Sequence, residues 1–468
     1  MARLVIVSNR VPIPKRRETQ AGGLAVALEE ALSPGTLWFG WSGRTSEKVP
    51  TKPFFVESRG VTYAALDLPE ADYLKYYVGF SNSTLWPLLH TRLGLMEFDR
   101  MALERYVAVN RAFAIALAPL LEPDQLVWVH DYHLIPLGEQ LRALGVANRI
   151  GFFLHVPFVP ASIFDVLPCA AELLRSLMAY DLIGLQTEQH VRDLRNAMVD
   201  ILGATLRDDG RIEVAGLTTC IIANPVGIDA ETFARRAKAA VQEREAIRLR
   251  ESLVGRFLVI GVDRLDYSKG LPNRFEGYGH FLQQHPEYRL KVSYLQIAAI
   301  SRGEVQQYQA LRRELDRVAG AVNGRFAEFD WIPIRYMTRA VPRTTLAGFY
   351  RLARVGLVTP LRDGMNLVAK EYVAAQDSSD PGVLILSRFA GAAESMREAV
   401  IVNPYDPDAI AEAIAEALVM PLAERMRRHE ALLGEVHRVT ARSYCGDFLR
   451  RLAETPARHT VRRSAASA

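Results

Sequence analysis

Short, uniformly apolar runs alternate with longer amphipathic patterns along most of this chain. Leu4–Ser8, Leu126–His130, Ile150–His155 and Leu182–Gln186 read as strands in the first half. Phe257–Val262, Lys291–Ile297, Val355–Thr359, Val383–Ser387 and Val400–Val402 do so in the second. Helical patterns lie between them at Met101–Leu121, Ala171–Ala179, Glu304–Ala319, Leu367–Ala375 and Ala409–Val419. A strand without polar alternation must be covered on both faces, and helices following such strands supply the cover. The pattern therefore specifies α/β architecture with parallel sheets. One sheet cannot absorb so many strands, so two doubly wound, Rossmann-like domains are expected. The turn-rich segment Asn224-Pro225-Val226-Gly227-Ile228-Asp229 marks the boundary, giving domains 1–228 and 229–455. A charged helix, Ala230–Leu249, opens the second domain. Long helices close it from Pro421 to Ala453, the last free to pack back on the first domain. Residues 456–468, rich in Arg, Ser and Ala, read as a disordered tail. The basic run Arg458 to Arg463 belongs to that tail rather than to a nucleic-acid patch.

Composition narrows the class. Hydrophobic residues make up 49% and charged residues 24% of 468, the balance of a globular chain. A net charge of +4 does not call for nucleic acid. No apolar run reaches the length of a transmembrane helix. The start, M-A-R-L-V-I-V, enters a strand without the pattern of a signal peptide. Cys169, Cys220 and Cys445 are far apart and make neither a zinc spacing nor a disulfide framework. A cytoplasmic enzyme with buried structural thiols and no membrane or nucleic-acid partner is expected; a homo-oligomer is compatible with this reading.

Charged groups gather where strands end. R-L-D-Y-S-K-G places Arg264 and Lys269 after one apolar run, and R-D-G-M-N-L-V-A-K-E places Asp363 after another. Open α/β sheets bind ligands in those loops. Asn366, Leu367 and Val368 begin a helix whose free N–H groups can hold an anion, and Glu371 offers a carboxylate to two vicinal hydroxyls. Together these suit a sugar nucleotide. Arg10 closes the first strand, and the paired Gly22 and Gly23 after it allow close approach of a backbone to phosphate; a tight helix entry explains the pair as well. Arg302 also follows a strand; with Arg10 it is expected to make a second anion site, although for either arginine alone a surface salt bridge is a competing reading. Asp131 and His155 close successive strands, where they serve either as hydroxyl partners or as turn caps. Tyr77 and Trp86 read as sugar-pocket rings or as core. Nine residues apart, they do not share an α-helical face. The D-x-D at Asp406-Pro407-Asp408 reads as a helix cap rather than a metal site, so no metal or other cofactor is expected.

These residues closely resemble the trehalose-6-phosphate synthases, from about Leu4 to Phe448. The matching segments are S-N-R ending at Arg10, A-G-G-L at Ala21, W-F-G-W-S-G at Trp38, F-S-N-x-x-L-W-P at Phe80, H-D-Y-H-L at His130 and R-I-G-F-F-L-H at Arg149. R-L-D-Y-S-K-G at Arg264 and L-R-D-G-M-N-L-V-A-K-E-Y at Leu361 complete them. The resemblance implies a glycosyltransferase of the GT-B type, two Rossmann-like domains facing a central cleft. It implies glucosyl transfer from UDP-glucose to glucose 6-phosphate with retained configuration, giving α,α-trehalose 6-phosphate and UDP. By the family motifs, Arg10, Tyr77 and Arg302 would hold the acceptor phosphate, and Trp86 and Asp131 the acceptor sugar. Gly22, Arg264 and Lys269 would hold the donor diphosphate, His155 and Asp363 the donor glucose, and Glu371 the ribose. No nucleophile is implied: the acceptor oxygen attacks on the face the phosphate leaves, and catalysis is positioning plus electrostatics by Arg264, Lys269, Asp131, His155 and Asp363.

The chain departs from the family where Ser162 stands for a usual Glu, where Asn224 precedes Pro225 in place of Tyr, and where Ala340 and Val341 are small near the expected base position. The alternatives are the same fold with another donor or acceptor, as in glucosylglycerol-phosphate synthase or with GDP- or ADP-glucose, and a non-catalytic sugar-phosphate sensor. Arg10, Tyr77, Trp86 and Arg302 favour glucose 6-phosphate; a sensor would be expected to lose one of Arg264, Lys269, Asp363 and Glu371.

Overall fold

The computed structural model describes residues 3–14, 28, 31–47, 52–300 and 306–456. Gly22, Gly23 and Arg302, and the expected tail from 457 onward, lie outside them. The chain divides into two compact units, 1–224 with 445–468, and 225–444.

The first unit is built on ten strands: β1 (Leu4–Arg10), β2 (Leu37–Ser46), β3 (Phe54–Ser58), β4 (Val61–Pro69), β5 (Leu126–His130), β6 (Ile150–Phe153), β7 (Leu182–Leu185), β8 (Thr205–Leu206), β9 (Arg211–Val214) and β10 (Leu217–Ala223). Their order is β3-β4-β2-β1-β5-β6-β7-β10-β9-β8. The seven strands from β4 to β10 in that order run parallel, and antiparallel strands close both edges. Val5, Ile6, Val7, Val127, Trp128 and Val129 are fully buried, as strands covered on both faces must be. Strand order reverses between β1 and β5, which pair in register from Leu4↔Leu126 to Ser8↔His130.

The second unit holds β11 (Phe257–Arg264), β12 (Val292–Ala299), β13 (Ile334–Met337), β14 (Val355–Val358), β15 (Val383–Ser387) and β16 (Val400–Val402). All pair in parallel, in the order β13-β12-β11-β14-β15-β16. That is the doubly wound order with its switch point between β11 and β14.

The final helix, Ala441–Glu454, leaves the second unit at Tyr444 and packs on the first from Cys445. The second unit therefore ends before 455, because the ring of Phe448 stacks on Trp128 at 4.6 Å and meets Phe153 edge-on. Arg149 Nε donates to the Thr455 carbonyl at 2.8 Å.

Two expected helices differ, and a third segment forms a helix that was not expected. Ala230–Leu249 is two helices, Ala230–Ala240 and Arg244–Leu253. Tight turns that send the Gln242 and Glu243 N–H groups to Ala239 and Ala240 carbonyls break it. The helix expected to end at Ala319 runs on through Gly320 and Gly324 to Phe326. The Tyr73–Leu85 segment is a π-helix continuing into Trp86–Leu89. Cys169 and Cys445 are buried and Cys220 is half-buried, all three as free thiols; burial pushes Cys169 up to about 12.

Candidate active site

In the second unit the two charged motifs leave the strands on either side of the switch point. Arg264 ends β11 with its guanidinium exposed, 3.9 Å from Asp266. The chain then turns through Tyr267–Lys269 to Gly270 at φ +64°. A Cβ on Gly270 would come within 2.9 Å of the Thr359 carbonyl, so glycine lets this turn lie against the end of β14. The Leu361 N–H closes the approach by donating to the Ser268 carbonyl at 2.8 Å. Lys269 Nζ thereby reaches Asp363 Oδ2 at 2.5 Å, and Asn366 Nδ2 donates to the same oxygen at 3.0 Å. Asp363 itself is pinned through its N–H to the Phe389 carbonyl.

Asn366 sits at the helix N-cap with φ +77°, yet its side chain does not cap the helix. An N-cap Asn ordinarily accepts from the first N–H groups. Here it turns to Asp363 instead; among the described residues no side chain caps the amino end of Leu367–Ala375, and the buried Asn366 Oδ1 has no partner. Free N–H groups and the helix dipole favour an anion at such an end. Glu371, one turn on, meets Arg343 at 2.8 Å. Beneath the loop Arg274, fully buried, pairs with Asp263 at 2.6 Å and donates to Thr359 Oγ1, Gln296 and the Lys269 carbonyl. It locks β11, β12, the end of β14 and the cation-bearing turn together. No sequence spacing announces Arg274 or Arg343, because each acts across elements distant in the chain.

In the first unit the polar groups likewise follow the switch-point strands. Arg10 ends β1; its guanidinium lies 2.5 Å from where a Cβ on Gly43 would stand, and Gly43 has φ +87°, a conformation that calls for the second glycine of W-F-G-W-S-G. Asp131, after β5, adopts φ +75°, ψ 164°. Its Oδ1 accepts from the His155 N–H at 3.3 Å, and its own N–H donates to the Phe153 carbonyl. The His155 ring reaches His130 at 3.1 Å and Gln186 at 3.5 Å. Desolvation holds both histidines neutral, bringing His155 down to about 3. His155 is thus a neutral hydrogen-bonding group across ordinary pH.

Tyr77 and Trp86 are brought together despite their spacing. A π-helix closes i→i+5 bonds, so two turns span roughly nine residues and both rings fall on one face. That corrects the expectation drawn from α-helical geometry. Tyr77 stacks on His133 at 5.7 Å, and Trp86 lies 5.6 Å from Tyr132. Asn82 fixes the arrangement, donating to the Tyr77 carbonyl and accepting from the Tyr132 hydroxyl. Trp86 is only 4% exposed, so little of its ring is open to solvent. Asp406 caps the helix Pro407–Val419 through the N–H groups of Asp408 and Ala409, and the Asp408 carboxylate meets His280 and Gln284. Among the described residues no group of three or more His, Cys, Asp or Glu is placed to hold a metal ion. None of their helices is long and apolar enough to cross a membrane.

A doubly wound parallel sheet with two cations, a carboxylate and an uncapped helix end at its switch point is the arrangement in which α/β enzymes hold anionic ligands. Comparison with known proteins narrows the class. Residues 2–454 match the model of glycosyltransferase family 20. The trehalose-6-phosphate synthase of Sinorhizobium fredii is 48% identical over 459 residues, covering 96% of this chain and 98% of that protein. A crystal structure of a UDP-forming α,α-trehalose-phosphate synthase from Burkholderia xenovorans in complex with glucose-6-phosphate superposes with a TM-score of 0.93 at 45% identity, covering 96% of this chain and all of the other. A structure described as trehalose-6-phosphate from E. coli bound with UDP-2-fluoro glucose gives 0.93 at 43% identity, over 98% of this chain and 100% of that one. The chain belongs to glycosyltransferase family 20, the family of these trehalose-6-phosphate synthases, and is a glycosyltransferase.

Proposed function

We propose that this enzyme transfers glucose from UDP-glucose to glucose 6-phosphate, releasing UDP and α,α-trehalose 6-phosphate with retained anomeric configuration. The observation that carries the reading is the switch-point cluster of Arg264, Lys269 and Asp363 beside the uncapped helix end at Asn366. Relatives bound to glucose-6-phosphate and to UDP-2-fluoro glucose support the choice of substrates. In this reading Arg264, Lys269 and the N–H groups of Leu367 and Val368 take the charge of the leaving diphosphate. Asp363 and the neutral His155 take hydroxyls of the donor glucose, and Glu371 the ribose. Arg10, Tyr77 and Arg302 hold the acceptor phosphate, with Asp131 and Trp86 on its sugar.

The C1–oxygen bond to diphosphate breaks as the acceptor oxygen bonds C1 on the same face. The acceptor proton passes to the departing phosphate oxygen. The protein's part is alignment and charge stabilisation, which needs no nucleophile. With the leaving charge met by side chains and a helix end, and the D-x-D acids engaged as a cap and a side-chain clasp, we assign the reaction no metal and no other cofactor, and the enzyme to the cytoplasm.

The test is nucleotide release with glucose 6-phosphate and UDP-, GDP- or ADP-glucose, with EDTA present. UDP release with a non-reducing disaccharide phosphate is expected. Lys269→Ala should chiefly lower kcat, and Arg302→Ala chiefly raise the KM for glucose 6-phosphate. Identical kinetics in the two variants would overturn the two separate phosphate sites.

A further inference from the structure

We infer that Arg343 is a positioning residue for the nucleotide-sugar site: it grips one oxygen of Glu371 and turns the other toward the ribose hydroxyls of the donor. The inference rests on the reading of Glu371 as the ribose partner.

Arg343 is the first residue of helix Arg343–Leu352, and Glu371 lies on Leu367–Ala375. Two N–H groups converge on a single oxygen: Nε stands 3.0 Å and Nη2 2.8 Å from Oε1. Among the described residues Oε2 has no partner, and it is not sealed from solvent. The grip is therefore one-sided, and an acceptor is left over. Arg343 is itself held in place, since its guanidinium lies 5.2 Å over the Phe233 ring. Glu371 stands four residues after Leu367, so it shares a face with the open helix end. A ligand anion at that end brings its next hydroxyl-bearing group to Oε2.

The charge of the pair matters as much as its aim. The Glu371 side chain is 14% exposed, and desolvation raises its pKa while Arg343 opposes the rise. A protonated carboxyl would lose the strong acceptor that a diol requires. Among the described residues Tyr350 is the other titratable group that acts on it, and burial keeps that phenol neutral. Lys370, the preceding residue, turns away to the Val226 carbonyl at 2.7 Å.

An ion pair that merely joins two helices would affect stability alone. The full-length enzyme is therefore compared with Arg343→Met, Arg343→Lys, Glu371→Ala and the double variant Arg343→Met/Glu371→Ala. KM for UDP-glucose, KM for glucose 6-phosphate and kcat are measured from pH 6 to 9, with Tm alongside. Arg343→Met should raise the donor KM roughly tenfold near neutrality, the loss expected for hydrogen bonds to a charged group. The defect should shrink as pH rises and Glu371 ionises unaided, while the acceptor KM stays put. Arg343→Lys keeps the charge and loses the fork, so it should fall between; it also serves if the Met variant does not fold. In the double variant the donor KM should match that of Glu371→Ala, since Arg343 acts only through Glu371. A normal donor KM at every pH in Arg343→Met or, should that variant not fold, in Arg343→Lys overturns the inference, as does a double variant whose two losses simply add. An unchanged donor KM in Glu371→Ala would sink the ribose reading itself and this inference with it.

Discussion

Asp131 sits at φ +75°, ψ 164°, a conformation that glycine alone enters without cost. Any other residue there stores about 1–3 kcal/mol, and such strain persists where the surroundings enforce it. Here the backbone is held by the Asp131 N–H to Phe153 and by the carboxylate's bond from the His155 N–H. Glycine relieves the strain and alanine keeps it, so Asp131→Gly should be more stable than Asp131→Ala by about 1 kcal/mol or more in urea unfolding. Equal stabilities would remove the argument for strain. At this position the sequence shows only a polar side chain after a strand. The backbone conformation that accompanies it is set by the two strands it joins to the loop.

Between elements, glycines decide where bulky partners dock. A Cβ on Gly151 of β6 would meet the Phe448 ring at 2.7 Å, and one on Gly184 of β7 would meet both Phe153 and Phe448. These two positions form the seat of the final helix. Gly151→Ala should cost about 1–3 kcal/mol as overpacking. Phe448→Leu, which makes room, should recover part of that loss, so the double variant should be more stable than the sum of the single changes predicts. Additive losses would show that the ring does not press on Gly151. The π-helix is the other element-scale finding. Its wider turn, not an α-helical one, aligns Tyr77 with Trp86, and hydrophobic periodicity tuned to 3.6 residues per turn cannot register it.

At the scale of the molecule, the chain crosses from the first unit to the second at Asn224/Pro225 and returns at Tyr444/Cys445. Residues 225–444 contain their whole sheet and its helical cover, so this fragment should unfold cooperatively when expressed alone. Residues 1–224 lack the helix that covers Trp128 and Phe153. That fragment should bind a dye for exposed apolar surface and unfold without a sharp transition. Sharp, equally stable transitions in both fragments would mean that the returning helix contributes little.

Much of this protein was legible in its sequence. Strands covered on both faces need unbroken apolar runs, so β5, β15 and β16 coincide with the expected segments and the parallel α/β class followed from them. Ligand chemistry in such folds sits after the strands, so Arg264, Lys269, Asp363 and Glu371 stood out from their place in the chain. Other features depended on partners far away in sequence. β2 and β4 pair beside β1, Arg274 ties three strands, Arg343 meets Glu371 across two helices, and Phe448 fills a seat made by two glycines. Sequence determines what each segment must bury and which groups it carries. Only the packed structure decides which groups meet, because a contact's energy depends on burial and geometry that both partners must supply.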